Sequence, residues 1–401
     1  MTAWQDVLYH VFHRLPAYIV CRFKCVGKRV DYTRIPRFCE EQADHMLSVG
    51  DLHIFTSPVS DYHQVTGLGL HNLLEDGPAA GVPTDFFNVV ARSGKILSSW
   101  NGLIVVRFRR KKVLRLLICN PVTSSWAPLR TRCGEYDANA NVNIIIILAT
   151  APTRNDYRLL SVTRQNKIFP PYVLKEYNQI ADQWQVLNPD MNLGDRKLNI
   201  SKPAIVNEWI YFMSDNYHYM NFIDDATIMP YIMAYSLTDH TSVRLDLPNN
   251  ALEYLFHGSY GVFTWGCRWT SQESLCLVRF INSSFTLFTC AAPTSQNSPW
   301  VQILHVTMDD LVLSAAHSSP NSIFREPIRW PYTVVNGNCL IFATREKIYG
   351  YNINGPHPWK LRQLGINDSR TNINFIPYSS TFRRCRCPHP SSFKKFLANN
   401  Y

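Results

Sequence analysis

The spacing of apolar residues changes after about the first fifty positions, from a helical period to a strand-like one. The first apolar stripe consists of Val7, Leu8, Val11, Phe12 and Leu15. Its spacing of i, i+1, i+4, i+5 and i+8 places the stripe along one side of a helix. Pro16 cannot continue that helix, so the pattern predicts a break and a restart there. A second stripe consists of Ile19, Phe23, Val26 and Val30, and a third short helix is predicted over 37–47.

Beyond these helices, a unit of about 58 residues recurs along the chain. Each copy has an aromatic residue or Cys at a strand end, a polar turn, a second anchor about seven residues later, and a strand with an apolar end. The second anchors are Tyr62, Trp126, Trp184, Ser242, Trp300 and Trp359. They are separated by 64, 58, 58, 58 and 59 residues. Such regular spacing predicts one supersecondary unit per repeat.

Short strands joined by tight turns fill the space between the anchors. An example is GLIVVRF followed by VLRLLIC, with the basic turn RRKK (109–112) between them. Four short strands per repeat are typical of a propeller blade, because neighbouring blades bury one another. We therefore predict a mostly-β fold, a β-propeller of about six blades preceded by small helices. A seventh blade in the irregular N-terminal part, or a last blade closed by strands from both ends, remains an alternative.

The composition agrees with a sheet-rich globular protein. Aromatic residues make up 13% of the 401 residues, and the 24 prolines favour short loops over long helices. The longest aliphatic run, IIIILA at 144–149, is far below the roughly 20 residues that a spanning helix needs. The odd number of cysteines, 11, in scattered positions favours reduced thiols. With no secretory leader pattern, we expect a cytoplasmic or nuclear location and no membrane partner.

Motifs that would indicate catalysis are weak, and we assign no catalytic residue, no cofactor and no metal. The most enzyme-like group contains Asp215, His218, Asp224 and Asp225, which a polar loop between strands explains better. The tail sequence CRCPHP offers Cys385, Cys387 and His389, but no second pair of ligands stands nearby. We expect an exposed basic tail there. The segment RFRRKKVLR (107–115) belongs to a hairpin tip, and nucleic acid is an unlikely partner despite the net charge of +10.

The N-terminal segment resembles the F-box of plant F-box proteins. That pattern is an acidic residue, apolar positions, Arg-Leu-Pro, then an Arg-Phe-basic-Cys-Val segment and a later Pro-x-Phe. The matching residues are Asp6, Val7, Leu8, Val11, Arg14, Leu15, Pro16, Arg22, Phe23, Lys24, Cys25, Val26, Lys28, Pro36 and Phe38. The sequence departs from the pattern at Ala3-Trp4, where the family has Leu-Pro, at Gly27 and at Val30.

The remainder resembles the F-box-associated region of the same proteins. The Asn-Gly-Leu strand opening is matched from Asn101, and a later Asn-Gly pair by Asn336-Gly337. The Ile-Cys-Asn-Pro-x-Thr segment with its tryptophan is matched by Ile118, Cys119, Asn120, Pro121, Thr123 and Trp126. A third segment is matched by Asp156, Tyr157 and Arg158. The resemblance implies an F-box at 1–48 and a propeller-like recognition domain at 49–380, followed by the basic tail at 381–401.

The resemblance also implies a function. F-box proteins are non-catalytic substrate-recognition subunits of cullin–RING (SCF-type) ubiquitin ligases. The helices would bind a Skp-family adaptor that holds the cullin scaffold, and the propeller would bind an unknown protein client. The residues expected to contact the adaptor are Leu8, Val11, Leu15, Pro16, Ile19, Cys25 and Val26. Two alternatives remain, namely a propeller enzyme and a general interaction or nucleic-acid-binding module with a decayed F-box.

Overall fold

A computed structural model describes most of the helices and strands of the chain. The described residues are 3–23, 32–58, 68–73, 82–83, 86, 88–90, 94–110, 113–129, 142–149, 157–164, 172–178, 180–191, 193, 198–214, 230–251, 259–266, 273–291, 299–313, 329–344, 346–354, 360–367 and 373–385. Statements below on what is absent concern these residues.

In the part of the chain that the structure describes, five four-stranded sheets follow one another, and within each sheet the strands pair in sequence order. The first contains β3 (Gly94–Trp100), β4 (Leu103–Arg110), β5 (Val113–Asn120) and β6 (Ser125–Leu129). The second contains β7 (Val142–Ala149), β8 (Tyr157–Arg164), β9 (Tyr172–Asn178) and β10 (Gln183–Met191). The third contains β11 (Leu198–Val206), β12 (Trp209–Ser214), β13 (Tyr231–Ser236) and β14 (Ser242–Asp246). The fourth contains β15 (Ser259–Trp265), β16 (Ser274–Ile281), β17 (Ser284–Cys290) and β18 (Val301–Val306). The fifth contains β19 (Arg329–Val335), β20 (Cys339–Ala343), β21 (Lys347–Asn352) and β22 (Leu361–Ile366).

A sixth sheet joins the two ends of the chain. It contains β1 (His53–Pro58), β2 (Gly69–Asn72) and β23 (Ile373–Tyr378), in the order β2-β1-β23. The last strand pairs antiparallel with the first, with His53 opposite Tyr378. Six sheets of this kind confirm the predicted mostly-β propeller of six blades. Of the alternatives left open by the sequence, closure of the last blade by strands from both ends is the one observed.

The repeat anchors mark the same position in four sheets. Trp126, Trp184 and Ser242 lie at or next to the start of a fourth strand, and Trp300 directly precedes one. Tyr62 and Trp359 lie outside the described residues. The first copy of the repeat, which begins at Phe55, is offset from the others. Phe55 lies in β1, the second strand of the closing sheet, whereas the corresponding residues Cys119, Tyr177 and Tyr235 lie in third strands. The C-terminal strand β23 takes the first position there and contacts β3, as β3 contacts β7.

The turns between the first two strands of three sheets share one chemistry. They contain Asn101-Gly102, Asn207-Glu208 and Asn336-Gly337, and all six residues have positive φ. The first two are two-residue hairpin loops, and the third is a three-residue loop between Val335 and Cys339. Tight hairpin loops of both lengths use left-handed conformations, which asparagine and glycine adopt most readily. Asn101-Gly102 and Asn336-Gly337 are therefore blade turns, and Asn207-Glu208 occupies the equivalent place.

Contacts divide the chain into two compact units. Unit 1 contains Met1–Ser161, Lys175–Val186 and Thr371–Tyr401, and unit 2 contains Val162–Leu174 and Leu187–Arg370. In unit 1, one apolar cluster lies beneath β3, β4 and β5 and reaches Phe55 and Tyr378. In unit 2, the contacts between β11 and β15 and between β15 and β19 bring the sheets together. Aromatic residues such as Tyr332 and Phe285 fill the core there.

The predicted helices are present in unit 1. They are α1 (Ala3–Phe12), α2 (Ala17–Phe23), a 3-10 turn at Tyr32–Arg34 and α3 (Pro36–Val49). In unit 2, a second 3-10 turn covers Asn249–Ala251, and α4 covers Met308–Leu313. Across the described parts of the chain, no helix has the length and apolar character needed to cross a membrane.

The tail prediction needs a correction. Residues 381–401 were expected to be exposed, but Thr381, Phe382, Arg383 and Cys385 are buried. They pack between the helices and the β3–β6 sheet, and this contact replaces the expected solvation. Residues 386–401 lie outside the described part, as do Cys387 and His389.

Candidate protein-interaction surface

One side of α1 carries large apolar residues that face solvent. Trp4, Val7, Leu8 and Val11 follow i, i+3, i+4 and i+7 spacing, so they lie in one row along the helix. Their exposed fractions are 77%, 52%, 41% and 48%. A row of this kind is unusual on a helix that already packs on a domain, because such helices normally bury their apolar side.

The other side of α1 packs on the protein itself. Tyr9 is half-buried, and its ring lies 5.4 Å from that of Phe38 in an edge-on arrangement. Its hydroxyl donates a 2.9 Å hydrogen bond to Glu41 Oε2 of α3. The hydroxyl of Tyr32 donates a 2.8 Å hydrogen bond to the Gln5 carbonyl. These contacts fix the rotation of α1, and that rotation turns the apolar row outward.

The break at Pro16 lets α2 turn and add one aromatic residue to the exposed side. The Pro16 carbonyl accepts hydrogen bonds from the backbone N–H groups of Ile19 and Val20 at the start of α2. Ala17 and Val20 are buried, whereas Phe23 is exposed. The Phe23 ring stacks on that of Phe12 at 5.4 Å. Phe12 itself is half-buried and also packs on Tyr32, so its contact with Phe23 brings an exposed aromatic ring to the edge of α1. We call Trp4, Val7, Leu8, Val11 and Phe23 the outward patch.

A single amide side chain ties the three helices to the C-terminal end of the chain. Gln42 of α3 is fully buried. Its Nε2 donates to the Leu15 carbonyl at 3.0 Å, and its Oε1 accepts from the Phe382 N–H at 3.0 Å. The glutamine amide both donates and accepts, so one side chain makes both bonds. Gln42 therefore joins the α1–α2 corner to residues more than three hundred positions away.

Residues 379–385 form an extended segment that we call the strap. Asn120, at the end of β5, donates from Nδ2 to the carbonyls of Thr381 at 2.9 Å and Arg383 at 2.6 Å. The Thr381 hydroxyl donates to the Asn101 carbonyl at 2.8 Å. Because these groups are buried, each unmade bond would cost roughly 1–3 kcal/mol. The strap therefore connects the helices firmly to the first sheet.

Gly102 is required by the close approach of the strap. Its φ is +82°, which disfavours other residues, and a Cβ built there would overlap the Thr381 hydroxyl. The Asn-Gly-Leu and Cys-Asn-Pro motifs of the sequence thus have a shared structural role. Asn101, Gly102 and Asn120 receive the strap, and the strap holds the helices.

A buried arginine adds charge to this joint. The Arg383 guanidinium lies 4.7 Å above the Trp100 ring and 3.6 Å from Asp44 Oδ1 of α3. Burial lowers the pKa of Arg383, and the nearby Asp44 carboxylate opposes that shift. The pair brings α3, the strap and β3 together.

A second set of polar contacts, around Glu41, lies at the outer edge of the helices. Burial disfavours ionisation of Glu41, but hydrogen bonds from Arg37 and Tyr9 outweigh it and hold the pKa of this carboxyl below its usual value. Burial, together with the bond to Glu41, raises the pKa of Tyr9 to about 12. Tyr9 therefore stays a neutral donor, which keeps α1 in place at physiological pH.

The predicted adaptor-contact residues are divided between the two sides of the helices. Leu8 and Val11 are exposed in the outward patch, whereas Leu15, Pro16 and Ile19 are half-buried. Leu15 packs on the cluster around Phe38. Cys25 and Val26 lie outside the described residues. Sequence reasoning left out Trp4, Val7 and Phe23, although Val7 and Phe23 already belonged to the two apolar stripes.

The other candidate groups do not form a reactive site in the described structure. Asp215, His218, Asp224 and Asp225 lie outside it. Cys385 is buried in the strap, where its Sγ lies 3.5 Å from the Ile118 carbonyl. Burial raises the pKa of this thiol to about 12. Among the residues that the structure describes, no three His, Cys, Asp or Glu side chains are placed to hold a metal ion.

Comparison with known proteins identifies no family. No protein-family profile and no curated protein matches the sequence. Among solved structures, the chain is similar to a tricorn protease (TM-score 0.40, 11% identity, 80% of this chain and 27% of that one). It is also similar to an endo-arabinase from Bacteroides thetaiotaomicron (TM-score 0.32, 11% identity, 70% of this chain and 95% of that one). A third is the Dos1 propeller (TM-score 0.33, 7% identity, 76% of this chain and 66% of that one). The chain spans only about a quarter of the tricorn protease chain.

Proposed function

We propose that this protein is a substrate-recognition subunit of a cullin–RING, SCF-type ubiquitin ligase. Its first 48 residues act as an F-box that binds a Skp-family adaptor, and the adaptor links it to the cullin scaffold. The propeller sheets bind a client protein in the cytoplasm or nucleus. The chain performs no bond chemistry and acts by raising the concentration of the client near the ubiquitin-charged enzyme.

The outward patch is the observation that carries this proposal. Five large apolar residues face solvent within the first 23 positions, on a layer whose inner side is already packed. Exposed apolar patches of this kind mark protein-binding sites, and aromatic anchors such as Trp4 contribute most to such interfaces. The F-box resemblance of residues 6–38 supplies the identity of the partner.

The strap supports a positioning role. A ubiquitin-ligase receptor gains from holding adaptor and client at a fixed separation, because a loose joint dilutes the effective concentration of the client. Gln42, Asn120 and the Arg383–Asp44 pair provide such a joint between the helices and the first sheet. The client-binding loops can then vary on a rigid frame.

The sharpest test replaces exposed residues only. In the double variant Leu8→Asp and Val11→Asp, we expect at least a tenfold loss of Skp-family adaptor capture by the purified full chain, since two charges would enter an apolar interface. The matched control is Val301→Asp with Ile366→Asp, two exposed apolar residues of unit 2 (60% and 65% exposed). The control should capture the adaptor as well as the unchanged protein does.

Replacement of Leu15 and Pro16 is a weaker test. The Leu15 carbonyl accepts the Gln42 hydrogen bond, and its side chain packs on the inner cluster. A loss of capture there would also follow from loosened helices. Undiminished capture by the Leu8/Val11 variant, with both variants folded, would refute the adaptor assignment. The propeller would then be a general interaction module.

A further inference from the structure

The turn between the third and fourth strands has the same local structure in the first and second sheets. In the β5–β6 turn, Asn120 Oδ1 accepts a 2.9 Å hydrogen bond from the Val122 N–H. In the β9–β10 turn, 58 residues later, Asn178 Oδ1 accepts a 3.0 Å hydrogen bond from the Ile180 N–H. The residue four positions after each asparagine has a positive φ, of 53° and 52° respectively. The two turns therefore present equivalent positions at the same end of neighbouring sheets.

In the first sheet, this turn already binds an extended segment, the strap. While Asn120 Oδ1 holds the turn, its Nδ2 donates to the carbonyls of Thr381 and Arg383. Carbonyls two residues apart point to the same side of an extended chain, so one amide nitrogen reaches both. Val122 is half-buried and packs on the cluster that contains Phe382. An amide donor and an apolar side chain two residues later thus receive a backbone and an aromatic ring.

In the second sheet, the same two groups face solvent. Ile180 is 99% exposed, although isoleucine is among the residue types that are most often fully buried. Asn178 is half-buried, and both of its side-chain hydrogen bonds use Oδ1, so its Nδ2 has no hydrogen-bond partner among the described residues. The β9–β10 turn therefore offers the donor and the apolar side chain of the β5–β6 turn without the segment that covers them.

The equivalent turns of two other sheets lack one of these groups. In the third sheet, Ser236 replaces the asparagine and has no amide nitrogen to donate. In the fifth sheet, Asn352 is present and its Oδ1 accepts from the Asn354 N–H at 3.2 Å, but a polar residue stands where the second sheet has isoleucine. Among the turns of this kind that the structure describes, the exposed combination belongs to the second sheet.

We propose that Asn178 and Ile180 of the β9–β10 turn bind an extended segment of a partner protein that carries an aromatic residue. The segment takes the position that the strap takes on the β5–β6 turn, with a backbone carbonyl on Asn178 Nδ2 and the aromatic ring against Ile180. In the function proposed above, this segment belongs to the client, and the inference rests on that function for this assignment alone. The turn and the N-terminal helices belong to the same compact unit, so one unit would hold both partners.

The test uses a fluorescein-labelled peptide with the strap sequence SSTFRR (379–384) and measures its binding to the purified full chain by anisotropy. The β5–β6 turn is already occupied by the strap of the same chain, whose effective concentration far exceeds that of the free peptide. A second peptide, SSTARR, lacks the aromatic ring. We expect SSTFRR to bind saturably, and SSTARR to bind roughly tenfold more weakly. Since neither Asn178 nor Ile180 is charged, binding of SSTFRR should depend little on salt.

Two variants of the turn test the two contacts separately. Asn178→Asp keeps the oxygen that holds the turn and replaces the amide donor with an oxygen that repels a carbonyl. Ile180→Ser removes the apolar contact from a side chain that is already in solvent. We expect each to weaken binding of SSTFRR roughly tenfold. Asn352→Asp makes the same substitution at the equivalent turn position of the fifth sheet, and it should stay within about twofold of the unchanged chain.

Several outcomes would overturn the inference, provided that unfolding curves show each variant to be folded. They are no saturable binding of SSTFRR, equal binding of SSTARR, and an equal loss in Asn352→Asp. Self-association of the chain that Ile180→Ser abolishes, measured by sedimentation, would assign the turn to a second copy and also overturn it.

Adaptor capture by the same proteins separates this inference from the proposed function. A chain that captures the adaptor but does not bind SSTFRR would overturn the inference alone. A chain that binds SSTFRR through Asn178 and Ile180 but does not capture the adaptor would refute the ligase function and leave the peptide site intact.

Discussion

The ten-residue helix α1 has one side packed on the protein and one side exposed to solvent. Tyr9 and Phe12 pack against Tyr32, while Leu8 and Val11, their neighbours in sequence, face solvent. All four belong to aromatic or aliphatic types, and the sequence pattern does not separate them. The periodic spacing of apolar residues predicts which side of a helix is shielded from solvent. Whether the covering surface comes from the same chain is decided by the Tyr9–Glu41 and Tyr32–Gln5 hydrogen bonds.

The inner side should be the most sensitive to substitution. Phe382 of the strap is 2% exposed and packs beneath the helices with its ring 6.1 Å from that of Phe38. Phe382→Ala should reduce the free energy of unfolding by about 3–5 kcal/mol, since it removes buried surface and leaves a cavity. Chemical denaturation followed by tryptophan fluorescence measures this.

Phe382→Leu serves as the companion variant, because it retains most of the buried volume and should lose clearly less stability. Equal effects of the two substitutions, or a cost below about 1 kcal/mol for Phe382→Ala, would contradict the claim that the strap holds the helices.

A second prediction concerns pH at the inner side. His53 is fully buried between the rings of Tyr18 and Tyr378, and neither ring nitrogen has a hydrogen-bond partner among the described residues. Burial lowers the pKa of His53 to about 4. The unfolded chain, with a histidine pKa of about 6.5, therefore binds the proton more readily. The folded state should lose roughly 3 kcal/mol as the pH falls from about 6.5 to 4.

His53→Phe isolates this effect from that of the carboxylates. Phenylalanine has a similar ring and no titrating group, so its stability should decline less over the same pH range. Urea unfolding midpoints at several pH values give the comparison. Parallel pH profiles for the two proteins would show that His53 is hydrated and titrates normally.

Much of the fold could be predicted from the sequence because it depends on local patterns. The 58-residue spacing of Trp126, Trp184 and Ser242 reflects one four-stranded blade per repeat. The break at Pro16 follows from the missing N–H of proline. The strand position at which the first repeat begins could not be predicted, because β23 joins the closing sheet from the other end of the chain.

The candidate surface could be predicted only in part, for the same reason. Leu8 and Val11 were identified from the resemblance, and they are exposed. The burial of the strap depends on Asn101, Asn120 and Gln42, which contact residues 261 to 340 positions away. No local pattern in the basic tail distinguishes Phe382 and Arg383 from residues that remain in solvent.

The outer side of α1 should be the least sensitive in stability and the most sensitive in binding. Leu8→Ser and Val11→Ser, made separately, should each change the free energy of unfolding by less than about 0.5 kcal/mol, because the side chains are largely in water already. Phe12→Ser, on the inner side of the same helix, should cost distinctly more, since its ring packs on Phe23 and Tyr32. Urea denaturation of the three variants measures the difference. If Leu8→Ser is as costly as Phe12→Ser, then Leu8 is buried in the isolated chain, and the outward patch is already covered before any partner arrives.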